Sequence, residues 1–238
     1  MKKFFLRLSS FFYPVVCSLC GETIAPELKC RICADCKKSL PKIEGYVCAI
    51  CGLPLKEGGE HCYACRKNPK AFRFDKMRSA YLYEGAARTL ILKFKYYGRM
   101  FLAADLAEEM FEVFKKNDFF KNADIIIPVP LNILRRIKRG YNQAALLALE
   151  LGKKASIPVN CGILIRKKIT KPQFRLGKKE REKNIKDSFS VKNGQSVKNK
   201  KILLVDDIAT TSATACACAK TLKEAGAGAV YVITLARG

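Results

Sequence analysis

Ile202-Leu203-Leu204-Val205-Asp206-Asp207-Ile208-Ala209-Thr210-Thr211-Ser212-Ala213-Thr214 runs from apolar to acidic to hydroxyl-rich without a break. Ile202 to Val205 fit a strand buried on both faces. Two carboxylates at the end of such a strand can accept hydrogen bonds from neighbouring sugar hydroxyls. The small, hydroxyl-rich loop after them leaves backbone N–H groups at the start of the next helix free to surround a dianionic phosphate. An ordinary strand, turn and helix with Asp207 as cap accounts for one acidic residue, not for the ordered run.

Outward from this segment, strands and helices alternate. Lys201 to Val205 predicts a strand, Ala213 to Ala225 a helix closed by Gly226, and Val230 to Leu235 another strand. Upstream, strands are expected over Met77 to Tyr83 and Asp124 to Val129, and helices over Ala86 to Tyr96, Leu102 to Phe114 and Gln143 to Lys154. That order implies an α/β domain over 73–238, with right-handed crossovers, a parallel sheet and a ligand crevice at the strand C-terminal ends.

The run resembles the signature of the type I phosphoribosyltransferases: four apolar residues, two acidic ones, then a Thr/Ser/Gly-rich loop ending in Thr. The resemblance implies that fold, with Asp206 and Asp207 holding the ribose 2′- and 3′-hydroxyls and Thr210, Thr211, Ser212, Ala213 and Thr214 holding the 5-phosphate. Ser212 departs from it, standing where glycine is usual, and its Cβ disfavours a positive φ.

Before this domain, nine of the twelve cysteines lie between Cys17 and Cys65, eight of them in four C-x-x-C pairs: Cys17/Cys20, Cys33/Cys36, Cys48/Cys51 and Cys62/Cys65. A two-residue gap lets one tight turn aim both sulfurs at an ion, and two such turns complete the tetrahedral thiolate shell that zinc accepts. The spacings C-x2-C-x12-C-x2-C and C-x2-C-x10-C-x2-C predict a double zinc ribbon over 17–72 with one Zn2+ in each half. Cys30 near Cys33 and His61 beside Cys62 are alternative ligands, while Cys161, Cys216 and Cys218 are expected as small buried residues. Regular cysteine pairs beside a large cysteine-poor domain fit a reducing, cytoplasmic setting better than a disulfide scaffold.

Residues 1–16 have the charge and apolar order of a secretory leader, but Arg7 interrupts the apolar stretch and no small-residue cleavage site follows. Phe4, Phe5, Leu8, Phe11 and Phe12 recur at helical spacing, which predicts an amphipathic docking helix, with a membrane-surface helix at the inner face of the membrane as the alternative. A composition 49% hydrophobic and 28% charged excludes disordered and fibrous classes, and no segment has the ~20 uninterrupted apolar residues of a membrane span. The formal net charge of +24 favours polyanionic partners such as single-stranded DNA, although lysines spread along most of the chain also make a solvated exterior.

Further segments resemble one family across nearly the whole chain, the ComF-type competence proteins, which join a zinc finger to a phosphoribosyltransferase domain and take part in natural DNA uptake. These segments are Leu82-Tyr83-Glu84-Gly85, Leu92 to Arg99, Pro128-Val129-Pro130-Leu131, Arg139-Gly140-Tyr141-Asn142-Gln143, then Gln173, Leu176, Arg181 and Asn184, and Thr234-Leu235-Ala236-Arg237. The resemblance implies a competence factor that binds phosphoribosyl diphosphate with Mg2+, or a related nucleotide, grips single-stranded DNA and docks a DNA-uptake translocase. An active phosphoribosyltransferase of unknown acceptor is the alternative. Arg139 is a candidate for the diphosphate, and Gln173 and Arg181 for a flap over the substrate; Arg135 and Arg136 read individually as solvated loop residues.

Overall fold

Alternating side chains on the strand Lys201–Ala209 divide between two apolar layers. Leu203 and Val205 face one layer, Ile202 and Leu204 the other, and all four are fully buried. A strand apolar on both sides requires cover on both sides, the usual setting of a parallel sheet. The computed structural model, which describes residues 14–25, 30–69, 72–167 and 188–238, supplies that cover. The expected helix over 1–16 lies almost wholly outside the described residues, as do Gln173, Leu176, Arg181 and Asn184.

In chain order the strands are β1 (Lys76–Leu82), β2 (Ile125–Pro128), β3 (Leu164–Arg166), β4 (Phe189–Val191), β5 (Lys201–Ala209) and β6 (Ala229–Arg237). The helices are α1 (Ala34–Lys38), α2 (Tyr63–Lys67), α3 (Gly85–Tyr96), α4 (Ala103–Lys115), α5 (Asp118–Lys121), α6 (Ile133–Arg139), α7 (Gln143–Ala155) and α8 (Ala213–Glu224). Four strands form a parallel sheet in the order β1-β6-β5-β2, and β3 and β4 pair separately as an antiparallel ribbon. The expected α/β architecture is therefore present. Leu106 and Met110 of α4 and Leu147 and Leu151 of α7 cover one face of the sheet; Cys218 and Leu222 of α8 help cover the other.

The two cysteine-rich halves straddle the β1 edge. Cys17, Ile24, Ile32 and Leu40 join the layer of α4 and α7, whereas Cys48, Cys51, Cys62 and Cys65 join that of α8, beside Met77 and Val232. The chain between them closes the open edge: Ile43 N–H donates to Ala80 O at 2.9 Å, and Leu82 N–H donates to Pro41 O at 2.9 Å. An exposed edge strand invites foreign pairing, and this linker occupies those groups. Gly52, at φ +65°, lies so close to β1 that a Cβ would sit 2.5 Å from Met77 O.

Several boundaries differ from the sequence reading. β5 runs on through Ala209, because β6 continues to pair with it from Asp206↔Thr234 to Ala209↔Arg237. The basic run 133–139 is not a loop but the helix α6, started by Asn132 Oδ1, which accepts from Leu134 N–H at 2.9 Å, and ended by Gly140 at φ +78°. Cys218 is buried as expected, but Cys161 is exposed and Cys216 only partly covered. Among the described residues, no helix is long and apolar enough to cross a membrane.

Candidate functional site

Eight of the cysteines close into two four-sulfur clusters. The sulfurs of Cys17, Cys20, Cys33 and Cys36 lie within 4.8 Å of one another, as do those of Cys48, Cys51, Cys62 and Cys65. Zinc–sulfur bonds of about 2.3 Å place tetrahedral sulfurs about 3.8 Å apart, and Cys20 and Cys33 stand at 3.8 Å, Cys51 and Cys62 at 3.7 Å. Leu19 and Cys33 N–H groups point at Cys17 Sγ, at 3.4 and 3.3 Å, as amides do that stabilise a thiolate. Donor set and spacing fit one zinc ion in each cluster. Cys30 and His61 belong to neither cluster.

The crevice at the sheet's C-terminal end is a cavity of about 300 Å3. It brings together Asp206 and Asp207 from β5, Thr210 from the turn after it, Thr214 from the start of α8, Lys95 from α3, Arg135 and Arg139 from α6, and Arg166 from β3. The parallel register explains the meeting: β2 ends at Pro128, opposite Val205 of β5, so the acidic pair that follows on β5 lies beside the turn leading into α6.

Inside it, Lys95 Nζ lies 3.1 Å from Asp207 Oδ2. Asp206 Oδ1 accepts from the Asp207 N–H at 2.8 Å. Asp206 keeps part of its surface towards the cavity, yet the protein packed around it pushes its carboxyl up to about 8; the Asp207 charge adds to this and Lys95 opposes it. Burial also pulls the Arg166 guanidinium below its ordinary value, aided by the charge of Arg135 and opposed by that of Asp206. Arg139 stacks 4.7 Å from the Tyr96 ring, donates to Tyr96 Oη at 3.0 Å and to Gln143 Oε1 at 3.1 Å, and so is held at the rim.

Beyond the acids, Thr210 and Thr214 line the cavity, and Thr211 Oγ1 accepts from Ala213 N–H at 3.4 Å. Ser212 takes φ +59°, the left-handed conformation that its Cβ disfavours, and is nearly buried. The Ser212 Oγ accepts from Arg237 Nη1 at 3.2 Å.

Of the residues singled out from sequence, the structure gathers Asp206, Asp207, Thr210, Thr214 and Arg139 in one cavity, with Thr211, Ser212 and Ala213 in the adjoining turn. Arg135, read as a solvated residue, lines the same cavity from α6. Of the basic residues in the family segment Leu92 to Arg99, Lys95 enters the cavity, whereas Lys93 Nζ donates to Ser18 O at 2.6 Å and ties α3 to the first ribbon. Arg166 is missed by sequence reasoning, since a lone arginine at a strand end carries no signal of burial, and Arg237 is quoted there only within a family segment, with no role of its own.

The double zinc ribbon domain family matches residues 8–66. Competence protein F of Haemophilus influenzae is 32% identical over 210 residues, covering 87% of this chain and 90% of that protein. Competence protein ComFC of Bacillus subtilis is 27% identical over 239 residues, 94% of this chain and 96% of that one. DNA utilization protein YhgH of Escherichia coli is 27% identical over 227 residues, 94% and 97% of the two chains. Among solved structures, the glutamine phosphoribosylpyrophosphate amidotransferase of B. subtilis complexed with ADP and GMP aligns with TM-score 0.41 and 18% identity. That alignment covers 60% of this chain, which spans only 30% of that enzyme's length. A purine phosphoribosyltransferase from Pyrococcus horikoshii aligns with TM-score 0.35 and 16% identity, over 56% of this chain and 70% of the other.

Proposed function

The chain belongs to the competence protein F family, and on that footing we propose that it is a factor for uptake of transforming DNA that binds phosphoribosyl diphosphate, or a related ribose phosphate, together with Mg2+. The observation that carries this reading is the meeting, in one cavity of about 300 Å3, of two carboxylates, two loop threonines and four cationic side chains. A ribose phosphate asks for both kinds of group at once: acceptors for its diol and cations or N–H donors for its phosphates. Asp206 and Asp207 would hold the 2′- and 3′-hydroxyls, and the turn from Thr210 to Thr214 the 5-phosphate. Arg135, Arg139 and Arg166 would face a Mg2+-bound diphosphate.

Single-stranded DNA is the second ligand we propose. Its support is the +24 net charge together with exposed rings beside cations: Tyr97 is 72% exposed, and Phe101 lies 5.3 Å from the Arg31 guanidinium and 5.7 Å from that of Arg99. Bases stack on such rings while the cations follow the backbone, and binding of this kind weakens steeply with salt.

The same cations favour a second reading, an active phosphoribosyltransferase. The bond from C1 to the diphosphate oxygen would break, a bond from C1 to the acceptor would form, and the acceptor would lose a proton. Positioning by the acidic pair and neutralisation of the departing diphosphate would do most of the work.

Calorimetric titration of Mg2+–phosphoribosyl diphosphate into the wild type and into the Asp206→Ala/Asp207→Ala variant tests the site. Binding by the wild type alone supports the ribose-phosphate reading; a folded, zinc-loaded wild type that does not bind removes it. Diphosphate release with a panel of bases then separates transferase from binding factor, and salt-dependent capture of an oligonucleotide tests the DNA half.

A further inference from the structure

The last turn of α3 is gripped from two sides. Lys93 and Lys95 both lie in it, and two residues advance an α-helix by about 200°, so their side chains leave on opposite faces. On the cavity side, Lys95 Nζ meets Asp207 Oδ2 at 3.1 Å. Gln143 Nε2 donates to Lys95 O at 3.3 Å while its Oε1 accepts from Arg139, and Arg139 also donates to Tyr96 Oη. The placement of a cavity carboxylate and a cavity cation, Asp207 and Arg139, therefore depends on where this turn lies.

On the other side, Lys93 Nζ donates to Ser18 O at 2.6 Å, its polar contact among the described residues. Ser18 is 2% exposed and sits inside the first zinc knuckle, between Cys17 and Cys20. A chain of hydrogen bonds secures it there. Ser18 N–H donates to Arg31 O at 2.8 Å, and Arg31 N–H donates to Asp105 Oδ2 of α4 at 2.7 Å. Cys33 N–H, two residues beyond Arg31, donates to Cys17 Sγ at 3.3 Å. One zinc ion held by Cys17, Cys20, Cys33 and Cys36 thus fixes the carbonyl that Lys93 uses, and four thiolates around one zinc ion leave net negative charge beside the ammonium. Without that carbonyl the half-buried ammonium has no acceptor, and to reach water it must shift together with the helix turn that bears it.

We propose that Lys93 is a positioning residue that couples the first zinc ribbon to the ribose-phosphate cavity. Zinc holds the knuckle, Ser18 O holds Lys93, and Lys93 holds the turn from which Lys95 and Tyr96 steady Asp207 and Arg139. The cavity half of this coupling rests on the ribose-phosphate reading above; the zinc half does not. Because coupling between two binding equilibria is reciprocal, ligand in the cavity tightens the first zinc ion by the factor by which that ion tightens the ligand.

The test is zinc affinity, measured by competition with a zinc-selective chelator, in the wild type, Lys93→Met and Lys93→Arg, with and without Mg2+–phosphoribosyl diphosphate. Cys20→Ser, which removes an exposed ligand of the first cluster, identifies the ion held there. Lys93→Met is expected to hold that ion about fivefold more weakly and the other as before. Saturating ligand is expected to tighten the same ion about fivefold in the wild type but not in Lys93→Met. Lys93→Arg, which keeps a cationic donor, should recover most of both effects. A lysine that only stabilised the fold would lower the melting temperature without making zinc affinity respond to ligand. Equal zinc affinity in the wild type and Lys93→Met, or a ligand response that survives in the variant, overturns the proposal. Should the wild type bind no phosphoribosyl diphosphate, the ribose-phosphate reading falls and the coupling with it, and the ligand-free comparison still decides whether Lys93 holds the zinc knuckle. Should Lys93→Met not fold, Lys93→Gln, which keeps an amide donor on a shorter stem, replaces it with the same expectations.

Discussion

Lys95 Nζ lies 3.1 Å from Asp207 Oδ2, so a single ion pair joins the last turn of α3 to the end of β5 at the floor of the cavity. The side chains are 15% and 12% exposed, which leaves either charge poorly solvated without the other. Lys95→Met is therefore expected to cost about 1–3 kcal/mol, a range reduced for the remaining contact with solvent. Adding Asp207→Asn should restore part of the loss. Urea unfolding of the two single variants and the double one measures the coupling, and strictly additive costs would show that the pair contributes nothing.

Asp206 makes stability depend on pH in a direction opposite to that of an ordinary paired carboxylate. Its carboxyl is raised from 3.8 to about 8 by burial first and the charge of Asp207 second. Between those values the folded chain holds a proton that the unfolded chain has released, so stability falls as pH rises through that window. Asp206→Asn removes the titration. The urea midpoint of the wild type is expected to drop from pH 5 to pH 8 relative to that of Asp206→Asn, and parallel profiles would place the Asp206 carboxyl near its ordinary value.

The features legible in sequence are those whose signal is local. The apolar run before Asp206 marks β5, the C-x-x-C spacings specify which sulfurs meet, and the hydroxyl-rich run marks the turn. The extension of β5 to Ala209 is not legible, because the two acids end the apolar pattern while pairing with β6, distant in sequence, carries the strand onward. Helix α6 escapes for another reason: Ile133, Leu134 and Ile137 are exposed, so no buried stripe announces it. Arg166 and Arg237 owe their environment to segments brought against them by tertiary packing, which composition and periodicity do not encode.

Ser212 offers a comparison of backbone strain with side-chain bonding. At φ +59° a Cβ costs roughly 1–2 kcal/mol. Ser212→Ala keeps the Cβ and loses the hydroxyl that accepts from Arg237, whereas Ser212→Gly loses both. The glycine variant gains back some unfolded-chain entropy, so it is expected to be more stable than the alanine variant by only about 0.5–1 kcal/mol. Thermal melting ranks the two, and a less stable glycine variant would mean that the turn relaxes out of the left-handed region.

Zinc removal is expected to destabilise the whole chain rather than release a separate head. Cys48, Cys51, Cys62 and Cys65 are buried in the same layer as Met77, Val230 and Val232 of the sheet, and Pro41 to Ile43 seal the β1 edge. Losing zinc from that cluster would leave buried thiolates or thiols without a ligand and uncover β1, so the melting temperature should fall in a single transition. Gly52→Ala approaches the same fault sterically: a Cβ 2.5 Å from Met77 O forces the knuckle off the strand, at an expected cost of about 2–4 kcal/mol. Calorimetric scans before and after chelation, together with the Gly52→Ala scan, check both expectations. If chelation produces a low-temperature transition while the main one stays at its original temperature, the ribbons unfold independently of the sheet, and the burial of their cysteines against Met77 contributes little to holding β1 in place.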